Sequence, residues 1–203
     1  MTMQHHGRGD RAISKERIAE LPVRRYEGEV SLVSSAEALE VAVADIAAET
    51  AIGFDTETRP AFRKGEVYAP ALVQIATSRR VYLFQLRWTG AHAALASLLG
   101  APQLTKAGVA VAHDLRTLKG VFAFEERSVV DLGVVARRSG MEQTGLRNLA
   151  GIFLGYRIAK GAKTTNWAVA QLTATQIAYA ATDAWVCREL YLRFHELGLL
   201  GRT

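Results

Sequence analysis

The sequence places two carboxylates at alternate positions, Asp55 and Glu57, where the apolar stretch Ala51-Ile52-Gly53-Phe54 ends. In an extended strand alternate side chains share a face, so these acids lie side by side. Two such anions repel each other, and a hard divalent cation offsets that repulsion through oxygen ligands. Two acids at a strand end in water are the plain alternative. A second pair is Tyr179 and Asp183, separated by Ala180, Ala181 and Thr182. On a helix that spacing sets both groups on one face, a turn apart. The small alanines leave the face accessible, although a packed ring beside a solvated acid has the same spacing. A third acid, Asp114, follows Ala112-His113 at the end of another apolar run. It either caps the helix that follows or reaches the pocket of the strand acids.

The elements that must position these groups are legible from periodicity and punctuation. Residues 51–56 read as a buried strand, and so do residues 104–112. Residues 29–33 read as a short strand. Residues 71–76 and 80–84 are β-rich runs separated by Thr77-Ser78-Arg79, the form of a hairpin. Ser34-Ser35-Ala36-Glu37 has capping-box form, and Leu39, Val43 and Ile46 then repeat at helical spacing, which predicts a helix over 35–49. Residues 92–99 form a helix stopped by Gly100 and Pro102. Short helices are expected over 115–121, 132–139 and 146–154. The longest covers 173–197, with Thr173 and Gln176 in capping-box spacing. A short helix from Ser14 stops at Pro22. Strands dominate the first half and helices the second, which argues for one α/β domain with a mixed central sheet flanked by helices. Residues 1–27 form a basic N-terminal arm, with a mobile leader over 1–13, and residues 28–203 form the domain.

Composition narrows the function classes. The 203 residues are 49% hydrophobic and 22% charged, the balance of a soluble protein with an ample core. The lone Cys187 excludes a disulfide framework and a cysteine-rich zinc site. No apolar run approaches the roughly 20 residues of a membrane span, and residues 1–10 lack an apolar signal core, so a cytoplasmic, membrane-free protein is expected. The net charge of +5 is compatible with a polyanionic partner. Residues 1–25 carry six bases against three acids, which reads either as a nucleic-acid arm or as a solvated tail. Two decoys are set aside. Asp131 after Val129-Val130 reads as a helix cap. Residues 155–164 have the wrong glycine spacing for a phosphate-binding loop and no strand leading in.

Taken together and in this order, Asp55-x-Glu57, Asp114 and Tyr179-x₃-Asp183 resemble the three signature segments of the DEDD superfamily of 3′→5′ exonucleases. The tyrosine four residues before the last acid resembles the DEDDy branch. The flanks agree. Residues 52–60, then Phe62, Gly65 and Leu72-Val73-Gln74-Ile75-Ala76-Thr77, are similar to the first segment of RNase D-type and Werner-type exonucleases. Thr165-Asn166-Trp167, Leu172-Thr173, Gln176 and residues 179–184 are similar to the last. The second segment departs, with His113 beside Asp114 and neither Asn nor Gly there. The resemblance covers about residues 28–197. It implies an RNase H-like fold and a metal-dependent 3′→5′ exonuclease that releases nucleotides from single-stranded or 3′-recessed DNA or RNA. It also implies two divalent ions, Mg²⁺ or Mn²⁺. Asp55, Glu57 and Asp183 would hold one, Asp55 and Asp114 the other, and Tyr179 would orient the nucleophilic water.

An exonuclease must hold a phosphate backbone and stack the terminal bases, so candidate contacts are sought near the motif segments. Backbone contacts are expected from Arg59, Arg63 and Lys64, from Arg116 and Lys119, and from Lys160 and Lys163. His113 is a base, a phosphate contact or a packing residue. Phe62 and Trp167 are stacking candidates, Trp167 equally a core anchor. Thr56 and Thr58 flank the acids and would touch the terminal nucleotide through their backbone. RNase D-like RNA 3′-end processing, a non-catalytic nucleic-acid-binding module and another RNase H-like activity are the competing readings. With only residues 198–203 beyond the last helix, a bare catalytic domain is expected. Oligomeric state is left open.

Overall fold

In the computed structural model, which describes residues 11–63, 65–159, 161 and 164–201, the apolar runs become strands. These are β1 (Val23–Arg24), β2 (Glu29–Val33), β3 (Ala51–Thr58), β4 (Pro70–Ala76), β5 (Arg80–Gln85), β6 (Thr105–Gly108), β7 (Val129–Asp131) and β8 (Arg157–Ile158). Six of them form one mixed sheet in the order β2-β5-β4-β3-β6-β7. The β3–β4–β5 centre is antiparallel, and the β2–β5, β3–β6 and β6–β7 pairs are parallel. The helices are α1 (Lys15–Glu20), α2 (Ala36–Ala47), α3 (His92–Gly100), α4 (Val111–Leu118), α5 (Leu132–Arg138), α6 (Leu146–Leu149) and α7 (Ala174–Glu196), with a π-helical turn over Ala150–Leu154.

Burial on both faces explains why the central strands read as continuous apolar runs rather than alternating ones. On one face Ile52, Phe54, Val73, Ile75, Tyr82 and Phe84 pack with residues of α2, α3 and α4. On the other, Leu72, Ala76, Val81 and Leu83 pack against Ala180, Ala181 and Ala184 of α7. The C-terminal half of α7 (Val186, Cys187, Leu190 and Phe194) closes a further cluster with α5 and α6. Helix α7 starts as its sequence specifies, with both halves of the Thr173/Gln176 capping box formed. Helix α2 is capped by Ser35, whose hydroxyl accepts from the Ala38 amide, so the cap sits one residue later than the Ser34–Glu37 pattern suggests. Asp131 caps α5, accepting from the Gly133 and Val134 amides.

One segment departs from expectation. The strand predicted over 104–112 covers only Thr105–Gly108, and α4 begins at Val111 instead of residue 115. Ala110, at φ 60°, occupies the left-handed region and turns the chain. A non-glycine residue there gives no sequence signal for the turn. His113 and Asp114 consequently lie in the first turn of a helix. The short partners β1 and β8 were not readable either, since each is two residues long and pairs with a segment more than 130 residues away.

The described part of the N-terminal segment is docked on the domain. Ser14 caps α1. The Ile13 amide donates to Gln143 Oε1 at 3.0 Å, and the Arg157 amide donates to the Pro22 carbonyl at 2.9 Å. No helix among the described residues is long and apolar enough to cross a membrane.

Candidate active site

The acids meet where β3 passes beneath α7. Odd-numbered residues of β3 face that helix. At Gly53 the approach is so close that a Cβ would collide with the Ala184 carbonyl oxygen and the Arg188 amide. A glycine in β3 and alanines in α7 therefore let the backbones approach, and the next residues along each element, Asp55 and Glu57 on the strand and Asp183 on the helix, are brought together. One oxygen from each of these three carboxylates lies within 4.8 Å of the others. Glu57 exposes 9% of its surface and Asp183 7%.

Three carboxylates packed this closely cannot all be charged without compensation. Burial, then the charges of Asp183, Asp114 and Glu57, push the Asp55 carboxyl well above its ordinary range. The Thr56 amide donates to Asp55 Oδ1 at 2.9 Å and partly opposes that rise. Asp114 stands outside the trio but within its electrostatic reach. Burial raises it to about 6, against the opposing influence of Thr56 and His113. An all-oxygen donor set with an excess of negative charge suits Mg²⁺ or Mn²⁺. Asp55, Glu57 and Asp183 are the residues that could hold a divalent ion.

Tyr179 lies one turn before Asp183. Burial is the main cause of a phenol pushed far above its ordinary range, reinforced by the charges of Asp183 and Glu57. The hydroxyl therefore keeps its proton and acts as a hydrogen-bonding group. Trp167 packs at 6.1 Å from the Tyr179 ring. Gly161 lies against that ring so tightly that a side chain there would strike it. Gln176 holds the segment approaching α7 by donating to Thr165 Oγ1 and to the Asn166 carbonyl, each at 3.1 Å.

The remaining predicted contacts separate clearly. Phe62 is 81% exposed, open for stacking. Arg59 is exposed and lies 4.7 Å from the centre of the Tyr68 ring. Arg63 is also exposed. His113 is exposed, and its Nδ1 is 2.9 Å from Arg116 Nη2. Lys119 is paired with Glu126 at 2.5 Å, which competes with a phosphate contact. Trp167 corrects the stacking expectation: it is wholly buried among Leu72, Leu83 and Ala180, with no face open to a base. Its core-anchor reading is the one that matches. Thr56 and Thr58 are half-buried at the end of β3, where the register with β4 shifts between Glu57 and Thr58. Lys64, Lys160 and Lys163 lie outside the described residues. Two residues beside the acids went unassigned in the sequence. Gly53 would have been flagged only by knowing that α7 crosses it. Gln74, the one polar residue inside the run Pro70–Ala76, carried a visible signal.

The model of the 3′–5′ exonuclease family matches residues 30–198 of the chain. The ribonuclease D of Haemophilus influenzae is 30% identical over 146 residues, which cover 70% of this chain and 36% of that protein. The bifunctional 3′–5′ exonuclease/ATP-dependent helicase of Mus musculus is 32% identical over 158 residues, 75% of this chain and 11% of its own length. The chain thus corresponds to little more than a third of the ribonuclease D it matches. The Nibbler EXO domain of Aedes aegypti superposes with a TM-score of 0.75 at 22% identity, over 88% of this chain and all of that one. The mixed sheet with flanking helices is accordingly the RNase H-like α/β fold that the motifs imply.

Proposed function

Because the chain belongs to the 3′–5′ exonuclease family, we propose that it hydrolyses nucleic acid from the 3′ end, nucleotide by nucleotide, with two divalent ions. The observation that carries this is the convergence of Asp55, Glu57 and Asp183 within 4.8 Å, with Tyr179 a turn away on the same helix face. Bound at these acids, Mg²⁺ or Mn²⁺ would stabilise both the attacking and the leaving oxygen of an in-line displacement. The chain's own residues do the rest. Asp55, Glu57, Asp183 and Asp114 supply the negative charge that holds the ions. Tyr179 is kept protonated by its burial and its acidic neighbours, so it orients the attacking water rather than removing its proton. Phe62, Arg59 and Arg63 are exposed in the segment just after the β3 acids, and an exposed ring with two cations suits a stacked base and its phosphates. His113 and Arg116 offer a further phosphate contact from α4.

RNA is the favoured substrate, since the ribonuclease D relative carries that activity in its name. Incubation of 5′-labelled single-stranded DNA, recessed DNA and RNA with Mg²⁺ or Mn²⁺ tests the proposal. A ladder shortening from the 3′ end, faster on RNA and abolished by chelation, is expected. A ladder on DNA alone overturns the RNA preference, and products from internal cuts overturn the exonuclease.

A further inference from the structure

Behind the acids the sheet buries one polar side chain with no obvious reason to be there. Gln74 of β4 shows no exposed surface. Neither its Oε1 nor its Nε2 has a hydrogen-bond partner. Its neighbours along β4, Val73 and Ile75, are equally buried. Leaving both ends of a buried amide unpaired disfavours folding, and native proteins rarely tolerate it without function. An aliphatic side chain of similar size would suit the packing better.

The register says what Gln74 is beside. It pairs directly with Asp55 across the antiparallel β3–β4 ladder. Directly opposed residues project from the same face, with Cβ atoms about 5 Å apart. That face is the one covered by α7, because Leu72 and Ala76, two residues either way, pack on Ala180, Ala181 and Ala184. The amide therefore stands next to Asp55, beneath the helix that carries Asp183. Asp55 is the residue on which the electrostatic strain concentrates, with three other acids acting on it.

We propose that Gln74 is a positioning residue for Asp55. Its side-chain amide donates to the Asp55 carboxylate from the side away from the ions, directly or through one buried water, and so fixes the shared ligand in its binding orientation. Outer groups that orient metal ligands in this way typically change metal affinity about 10–100-fold when removed.

This inference rests on the reading that the acids bind divalent ions, and the test separates the two. Mn²⁺ binding to the parent protein is measured by titration calorimetry, followed by Gln74→Met, with Gln74→Leu as a second apolar replacement. Thermal unfolding is recorded in chelator. A parent that binds no Mn²⁺ sinks the metal reading itself. With a binding parent, the expected result is that the apolar variants unfold in chelator at the parent's temperature or higher, while Mn²⁺ affinity falls about tenfold or more. Unchanged Mn²⁺ affinity overturns the positioning role and leaves Gln74 a tolerated buried amide. If neither variant folds, the amide is structural and the proposal fails in that case too.

Discussion

At the scale of the residue, the site is a set of charges that the fold forces together and does not neutralise. Asp55 bears most of this, since burial and three neighbouring acids all oppose its ionisation. Asp55→Asn is expected to abolish metal-dependent hydrolysis while raising the unfolding temperature in chelator at pH 8. Each kcal/mol of relieved repulsion corresponds to about 2–4 °C in a chain of this size. An activity assay with a melting curve checks both, and a variant less stable than the parent would argue against repulsion. Tyr179→Phe is expected to slow turnover by about 100-fold with substrate binding nearly unchanged, as single-turnover rates and a binding titration would show. The pH dependence follows from Asp114, raised to about 6 from near 3.9 in the unfolded chain. Between those values the unfolded state loses its proton first and the folded state holds more. Stability in chelator from this group is therefore full below about pH 4 and lost as pH rises through 6. Ion binding runs the opposite way, because the ligand must be ionised, and Mn²⁺ affinity should fall as pH drops below 6. Calorimetric titrations at pH 5, 6, 7 and 8 check this, and a flat profile would remove Asp114 from the ligand set.

At the scale of the element, a single crossing does most of the positioning. Gly53 lets α7 lie on β3, and the acids then follow from the strand's alternation and the helix's four-residue repeat. Gly53→Ala is expected to push α7 off the sheet, since its Cβ would overlap the Ala184 carbonyl. Overpacking of this kind costs about 1–3 kcal/mol, and the displaced Asp183 should lower Mn²⁺ affinity as well. Denaturant unfolding and calorimetry would show both losses, and an unchanged variant would deny the crossing its role. Much of this arrangement could be read in advance. The Asp55/Glu57 alternation, the hairpin around Thr77-Ser78-Arg79 and the Thr173/Gln176 cap are local signals that tertiary packing reinforced. What could not be read depends on distant contacts or unusual backbone. Ala110 adopts φ 60°, supported by its amide donating to Asp131 Oδ1 at 3.3 Å, so Asp114 moves from a strand end into α4. Trp167 offered stacking and core readings equally, and only the packing of α7 against β4 and β5 buries it. The apolar-strand Gln74 was visible as an oddity, but its neighbour Asp55 emerges only from the β3–β4 register.

At the scale of the molecule, the described N-terminal residues, from residue 11 on, pack as part of the architecture. Ile13, Ile18 and Leu21 close over Gly151, and β1 pairs with β8 beside α6. Deleting residues 1–27 is expected to lower the unfolding temperature, not only to weaken nucleic-acid binding through lost charge. A truncated protein melting with the parent would return the segment to the role of a solvated arm. The net charge of +5 includes the four acids proposed to bind ions, so with those ions bound the surface meeting substrate would be more basic than the total suggests. The chain spans about a third of the length of its ribonuclease D relative. The central claim is that these acids direct hydrolysis from a free 3′ end. Its most direct test compares two 5′-labelled RNA strands in Mn²⁺, identical except that one carries a blocked 3′ terminus. A regular ladder from the open strand and an intact blocked strand are expected. Equal degradation of both would contradict it.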